Sequence, residues 1–169
     1  HVYRDANDTA LPYQVCTFTF RSIKLRPATE VILRGRRALR LVTIDDGDVE
    51  IGALLSANAY NRYGVAQLPA VGKLGGFDGV SKGKKAGKGP GAPPGGEKRG
   101  TGGGYGNSAE TGKAYGDPLL THLLGGSSGS SGEHSSSGAG GGAIAIEAAG
   151  NLLVTSSGKI TANGSWGSA

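Results

Sequence analysis

The sequence predicts an all-β protein, a parallel β-solenoid whose coils are interrupted by a long glycine-rich insertion. Three observations lead there. Short runs in which apolar and polar residues alternate, enriched in β-branched and aromatic side chains, occur at 15–22 and 38–44. Two stretches match each other: 47–58 (Gly-Asp-Val-Glu-Ile-Gly-Ala-Leu-Leu-Ser-Ala-Asn) and 150–163 (Gly-Asn-Leu-Leu-Val-Thr-Ser-Ser-Gly-Lys-Ile-Thr-Ala-Asn). Both run Gly, Asp or Asn, a three-residue strand with apolar ends, a bend, an apolar residue, Ser or Thr, Ala and Asn. The second copy has two extra residues in the bend. Third, of the 33 glycines, 25 lie in 72–142, between the copies. Short strands that repeat with small bends are the pattern of stacked coils, each burying an apolar stripe on its neighbour. Two unrelated hairpins that share turn chemistry are the alternative.

From Val15 to Ser22, Cys16, Phe18 and Phe20 alternate with Val15, Thr17, Thr19 and Arg21. The apolar parity then switches to Ile23 and Leu25, which predicts a bend or bulge near Arg21-Ser22. Glu30–Arg34 leads through Gly35 to a strand over Ala38–Ile44, with Leu39, Leu41 and Ile44 inward and Arg40 outward. Asp45-Asp46-Gly47-Asp48 is a turn, with Gly47 suited to positive φ. Val49–Ile51 starts the next strand. Asn58 and Asn163 are expected at equivalent corners, where an Asn tolerates left-handed φ and can bond the Asn of the next coil.

The insertion is not uniform. Lys82–Gly104 combines Lys and Gly with Pro90, Pro93 and Pro94, a composition that favours polyproline II backbone or disorder. Tyr105, Tyr115, Leu119, Leu120, Leu123 and Leu124 supply apolar surface that a flexible linker would not need. Ser127–Gly142 is a Ser/Gly run returning to a strand at Ala143–Glu147. The segment is therefore expected to be partly ordered, lying against the solenoid with its amides bonded to one another. The domain reading is 1–71 as solenoid coils, 72–142 as the insertion, and 143–169 as the coil that resumes the same domain.

Glycine is close to one residue in five of the 169, against about 7% in ordinary chains. Aromatics make up 6% and Met is absent, so a large side-chain core spread over the whole length is not expected. No stretch approaches the roughly 20 apolar residues of a spanning helix. The net charge of +5 is modest. Lys82, Lys84, Lys85 and Lys88 could meet phosphates or sulfated glycans, but no aromatics interleave with them as single-strand binding requires. Nucleic acid is not the expected partner. Cys16 is the single cysteine, so it is a small buried hydrophobe or a bridge to another chain. The chain begins with His1, which fits a processed product or a segment of something longer, and a removed secretion signal is expected. Two glycosylation sequons, at Asn7 and at Asn163, fit an extracellular or cell-surface compartment.

Five blocks occur together and in order: Gly-Gly-Gly-Tyr-Gly at 102–106, Tyr-Gly-Asp-Pro-Leu-Leu at 115–120, Leu-Leu-Gly-Gly-Ser-Ser-Gly at 123–129, Gly-Gly-Gly-Ala-Ile-Ala-Ile-Glu-Ala at 140–148 and Ile-Thr-Ala-Asn-Gly at 160–164. This arrangement resembles the glycine-rich domain of large secreted or surface proteins of microbial eukaryotes, some bacteria and simple animals. The resemblance covers about the last 70 residues together with 49–58. It implies a right-handed parallel β-helix and a role in adhesion, matrix or filament assembly, including hair-like filaments on flagella. No catalytic residues belong to the pattern, so none are carried over. Lys82–Lys98 departs from it, since such segments usually carry neutral Gly and Ser.

Other chemistry finds little support. Asp46, Asp48 and Glu50 would share a face if extended and could hold a cation, or they form a solvated turn with ion pairs between coils. His1, His122 and His134 are too scattered for a metal site. Neither a nucleophile elbow nor a phosphate loop is present. No enzyme, cofactor or metal is expected. The leading expectation is an extracellular structural subunit that self-associates or joins sister subunits through stacked coils, with Asn58, Asn163, Cys16 and Trp166 at corners or contacts. The alternative is a carbohydrate-binding or carbohydrate-cleaving β-helix using Tyr60, Arg62, Tyr63 and the Asp45–Glu50 turn, with glycans as partners.

Overall fold

A short strand with one apolar face excludes water only when it is stacked on others like it. The computed structural model, which describes residues 2–3, 13–61, 68–104, 114–116 and 122–167, achieves this with ten strands and, among the described residues, no helix. The strands are β1 (Val2–Tyr3), β2 (Tyr13–Phe20), β3 (Ile23–Leu25), β4 (Glu30–Ile32), β5 (Ala38–Thr43), β6 (Val49–Ile51), β7 (Leu54–Ser56), β8 (Ile144–Glu147), β9 (Leu152–Val154) and β10 (Lys159–Thr161). They form three sheets, ordered β1-β2-β5-β8, β3-β6-β9 and β4-β7-β10. All pairings are parallel except β1 with β2. The chain thus makes three passes, β2-β3-β4, β5-β6-β7 and β8-β9-β10, each laying one strand in every sheet. This all-β arrangement is compatible with a parallel β-solenoid.

Register follows the apolar pattern. Ile23 pairs with Val49 and Val49 with Leu152, and Leu25 pairs with Ile51 and Ile51 with Val154. Val31, Leu55 and Ile160 form a third column. The matched stretches 47–58 and 150–163 lie side by side, and their two-residue difference falls in the bend between β9 and β10. Two clusters fill the interior: Ile23, Val49 and Ile51, and Leu39, Ala57 and Leu74. The expected bend at Arg21-Ser22 is the corner where the chain leaves one sheet for the next.

Two local expectations are corrected. Ile44 is 43% exposed rather than inward, because β5 ends at Thr43 and a tight turn begins. In that turn Gly47 N–H donates to Ile44 O at 3.0 Å, and positive φ falls on Asp45 (53°) and Asp46 (58°) rather than on Gly47. Positive φ at both central residues is the type I′ geometry, which Asp tolerates. Gly47 is needed instead for closeness, since a Cβ there would strike the Arg21 carbonyl oxygen.

Residues 57–143 connect β7 to β8, and their described parts are held mainly by backbone. Within Gly126-Ser-Ser-Gly-Ser-Ser-Gly132 hydrogen bonding repeats every three residues. Gly126 and Gly129 N–H donate to Gly141 and Gly138 O; Ser128 and Ser131 donate to Lys88 and Lys85 O; Ser130 and Glu133 donate to Thr101 and Lys98 O. A three-residue repeat with three differently directed faces is that of polyproline II backbone. The glycines sit where neighbours come closest: a Cβ on Gly129 would lie 2.5 Å from Thr101 O. Serines occupy the other positions and are buried, Ser128 at 0% and Ser131 at 1% exposure. Ser128, Ser130, Ser131, Ser137 and Ser165 each bracket a neighbouring peptide. Ser131, for example, donates N–H to Lys85 O at 3.0 Å while its Oγ accepts Lys85 N–H at 2.9 Å.

Candidate assembly surface

The stack leaves apolar side chains uncovered on its last pass and on part of its first. In each interior column the middle member is sealed: Val49, Ile51 and Leu55 are 1%, 0% and 1% exposed. Their partners on the last pass, Leu152, Val154 and Ile160, are 52%, 46% and 41% exposed. These side chains belong to interior columns, and among the described residues no fourth layer covers them. On the first pass the effect is confined to β2, where Phe18 is 49% and Phe20 42% exposed in register with Leu41 and Thr43, whereas Ile23 is 9% exposed and Leu25 and Val31 are half-buried. Among the described residues no strand pairs with the outer edges of β8, β9 and β10 or of β3 and β4. On β2, β1 pairs with Tyr13 and Gln14 alone. Row upon row of backbone donors and acceptors therefore borders each apolar face.

Ion pairs already tie neighbouring passes. Lys24 Nζ lies 2.6 Å from Glu50 Oε2, and Arg40 grips Glu147 through two bonds of 2.6 and 2.5 Å. The bidentate hydrogen bonding from Arg40 holds the Glu147 carboxyl below the usual carboxylate range, against an opposing effect of burial.

The expected corner residues meet directly. Asn58 Oδ1 accepts the Asn163 N–H at 2.7 Å and Ala59 N–H donates to Asn163 O at 2.9 Å. Neither Asn has positive φ, which among non-glycine residues falls at Ala28, Asp45, Asp46, Leu74 and Lys84. Asn163 is exposed, and Asn7 lies outside the described residues. Cys16 is a free, half-buried thiol in register with Leu39. Trp166 is 75% exposed. It stands on the rim of a groove of about 860 Å³ whose walls include Gly102, Gly129, Ser130, Gly138 and Ser165. No charged residue is among those lining it. The period-three backbone that builds this groove is what sequence reading passed over; the Gly-Ser-Ser spacing was its signal.

The carboxylates of 45–50 do not converge. Asp48 Oδ1 accepts both Asn151 N–H (2.7 Å) and Asn151 Nδ2 (3.2 Å), while Glu50 belongs to Lys24. Among the described residues no group of three His, Cys, Asp or Glu could hold a metal, and no helix is long and apolar enough to cross a membrane. His122 and His134 are exposed, and His1 is outside the described residues. Tyr60 is exposed, with the Lys73 ammonium 4.9 Å from its ring centre; Arg62 and Tyr63 are not described. Tyr115 OH donates to Gly125 O at 2.5 Å, and Leu123 and Leu124 are half-buried, whereas Tyr105, Leu119 and Leu120 lie outside the described residues. Lys82, Lys85 and Lys88 are exposed, and Lys84 lies 3.2 Å from Glu133. No family model, curated protein or solved structure matches this chain.

Proposed function

We propose that the chain is a structural subunit of an extracellular filament, surface appendage or matrix. In this reading it is a right-handed parallel β-solenoid, 1–71 and 143–169, carrying a glycine-rich insertion over 72–142, and it polymerises through stacked coils. The supporting observation is the half-exposure of Leu152, Val154 and Ile160 at the end of columns whose middle members are sealed. An apolar layer bordered by unused strand edges is stabilised by adding another layer. Glycosylation at Asn7 and Asn163 belongs to the same reading, as does a role for Trp166 and Cys16 near subunit contacts.

Electron microscopy and sedimentation of the purified protein over a range of concentrations test the proposal. Filaments or a concentration-dependent polymer are expected, and Leu152→Glu should abolish them while leaving the monomer's circular dichroism unchanged. A wild-type protein that stays monodisperse at high concentration would refute it.

The uncharged groove rimmed by Trp166 favours a second reading, a binder of neutral glycans, since sugars stack on exposed indole and bond to hydroxyl and peptide groups. Saturable binding of a neutral oligosaccharide, lost in Trp166→Ala, would support it.

A further inference from the structure

Resting on that assembly reading, we propose that the face made by β8, β9 and β10 is covered by β2, β3 and β4 of a second copy, stacked head to tail in the register that already runs through the molecule. The three passes pair strand for strand in all three sheets although their corners differ in length, so the first pass of a copy can continue each column. Ile146 would meet Phe18 of the copy, as Phe18 pairs with Leu41 and Leu41 with Ile146 inside the chain. Leu152 would meet Ile23, and Val154 would meet Leu25.

Charge favours the same direction. Glu30, Leu54 and Lys159 form one column, with an acid on the first pass and a base on the last. One further layer brings Lys159 of one subunit beside Glu30 of the next, repeating the pass-to-pass pairing of Lys24 with Glu50. Stacking two last passes would reverse strand direction and bring together two lysine-bearing strands. Among the described residues β1 pairs with Tyr13 and Gln14 alone, and the register assigns β8 to the adjoining Cys16–Thr19 edge of β2. A head-to-tail contact is heterologous, and because each added copy advances along the stacking direction it does not close into a ring, so it yields a polar filament. Three layers of about 4.8 Å give a rise of roughly 14 Å per subunit.

The lone thiol makes the register measurable. Cys16, Leu39 and Ile144 occupy one column, so within a chain Cys16 and position 144 are two strand spacings apart, about 9.6 Å and beyond disulfide reach. Across the proposed contact they are one spacing apart, about 4.8 Å, which a disulfide spans. Wild-type protein would be mixed under mild oxidation with a differently tagged C16A/I144C variant. The mixed 16–144 disulfide is expected to dominate, with little homodimer from either protein alone. In parallel, K159E and E30K should each lose polymer, and K159E/E30K should recover it, a readout that does not depend on the cysteine variant folding. Polymer that forms without the mixed disulfide and ignores the charge reversals would overturn the register yet leave the assembly reading standing. Wild-type protein that never polymerises would overturn both.

Discussion

A methyl group added at Gly140 would overlap the carbonyl oxygen of Gly126, and one at Gly129 would press on Thr101 O at 2.5 Å, whereas one at Gly102 would meet nothing within 4 Å. None of the three has positive φ, so closeness alone separates them. Gly129→Ala should cost about 1–3 kcal/mol, the usual penalty of overpacking, and Gly140→Ala should cost more. Gly102→Ala should be neutral or gain about 0.5 kcal/mol by restricting the unfolded chain. Thermal denaturation of the three variants would show that order. The Arg40–Glu147 pair makes a separate prediction at the same scale. Because the folded-state pKa of Glu147 is lowered, its contribution is present above the unfolded carboxylate value and disappears as pH falls through the lowered folded value. Stability should therefore decline on acidification below the ordinary glutamate range, and Glu147→Gln should flatten part of that decline. Both partners are well exposed, at 39% and 48%, so the effect should be small and weaken with salt.

At the scale of elements, the strands were legible because a period of two leaves a visible trace in residues such as Leu39, Leu41, Val49 and Ile51. The pairing of 47–58 with 150–163 was legible too, since corner Asn residues and turn glycines mark equivalent places. The first pass was harder to align: Ile23–Leu25 and Glu30–Ile32 are joined through Arg26, Pro27, Ala28 and Thr29, with no Asn-ended corner to reveal that they stack on β6 and β7. The connection was legible in part: its tyrosines and leucines pointed to order and to amides bonded to one another, but the period-three helical course of Gly126-Ser-Ser-Gly-Ser-Ser-Gly132 was hidden in a Gly/Ser composition shared with flexible linkers. The serines complete it, because a helix of this type has no internal hydrogen bonds and needs partners outside itself. Ser128 Oγ accepts the Lys88 N–H at 2.8 Å and is wholly buried. Ser128→Ala leaves that donor without its partner, at a cost of about 1–3 kcal/mol. Hydrogen exchange should quicken most at Lys88, which loses its own partner, with a smaller loss of protection in β6 from the lower stability of the whole.

Over the whole molecule, the strand stack and the glycine-serine segments share one core cluster. Leu74 is 4% exposed and packs with Leu39 of β5 and with Ala57, just past β7. Its backbone is tied on both sides: Leu74 N–H donates to Gly35 O at 3.0 Å and Leu74 O accepts Ala143 N–H at 2.8 Å, next to the start of β8. One buried residue thus joins the turn before β5, the end of β7 and the entry to β8. These bonds and contacts join residues far apart in sequence, so neither part has its own local contacts to hold it while the other opens. The two parts should therefore unfold in one transition. Leu74→Ala removes the shared side chain at about 2–5 kcal/mol, and the loss should appear in both parts at once. Hydrogen exchange followed at Ser128–Ser131 and at Leu39–Thr43 would read this directly: protection should fall together and to a similar degree. Loss at Ser128–Ser131 with β5 unchanged would mean that the strand stack is stable without its glycine-rich connection.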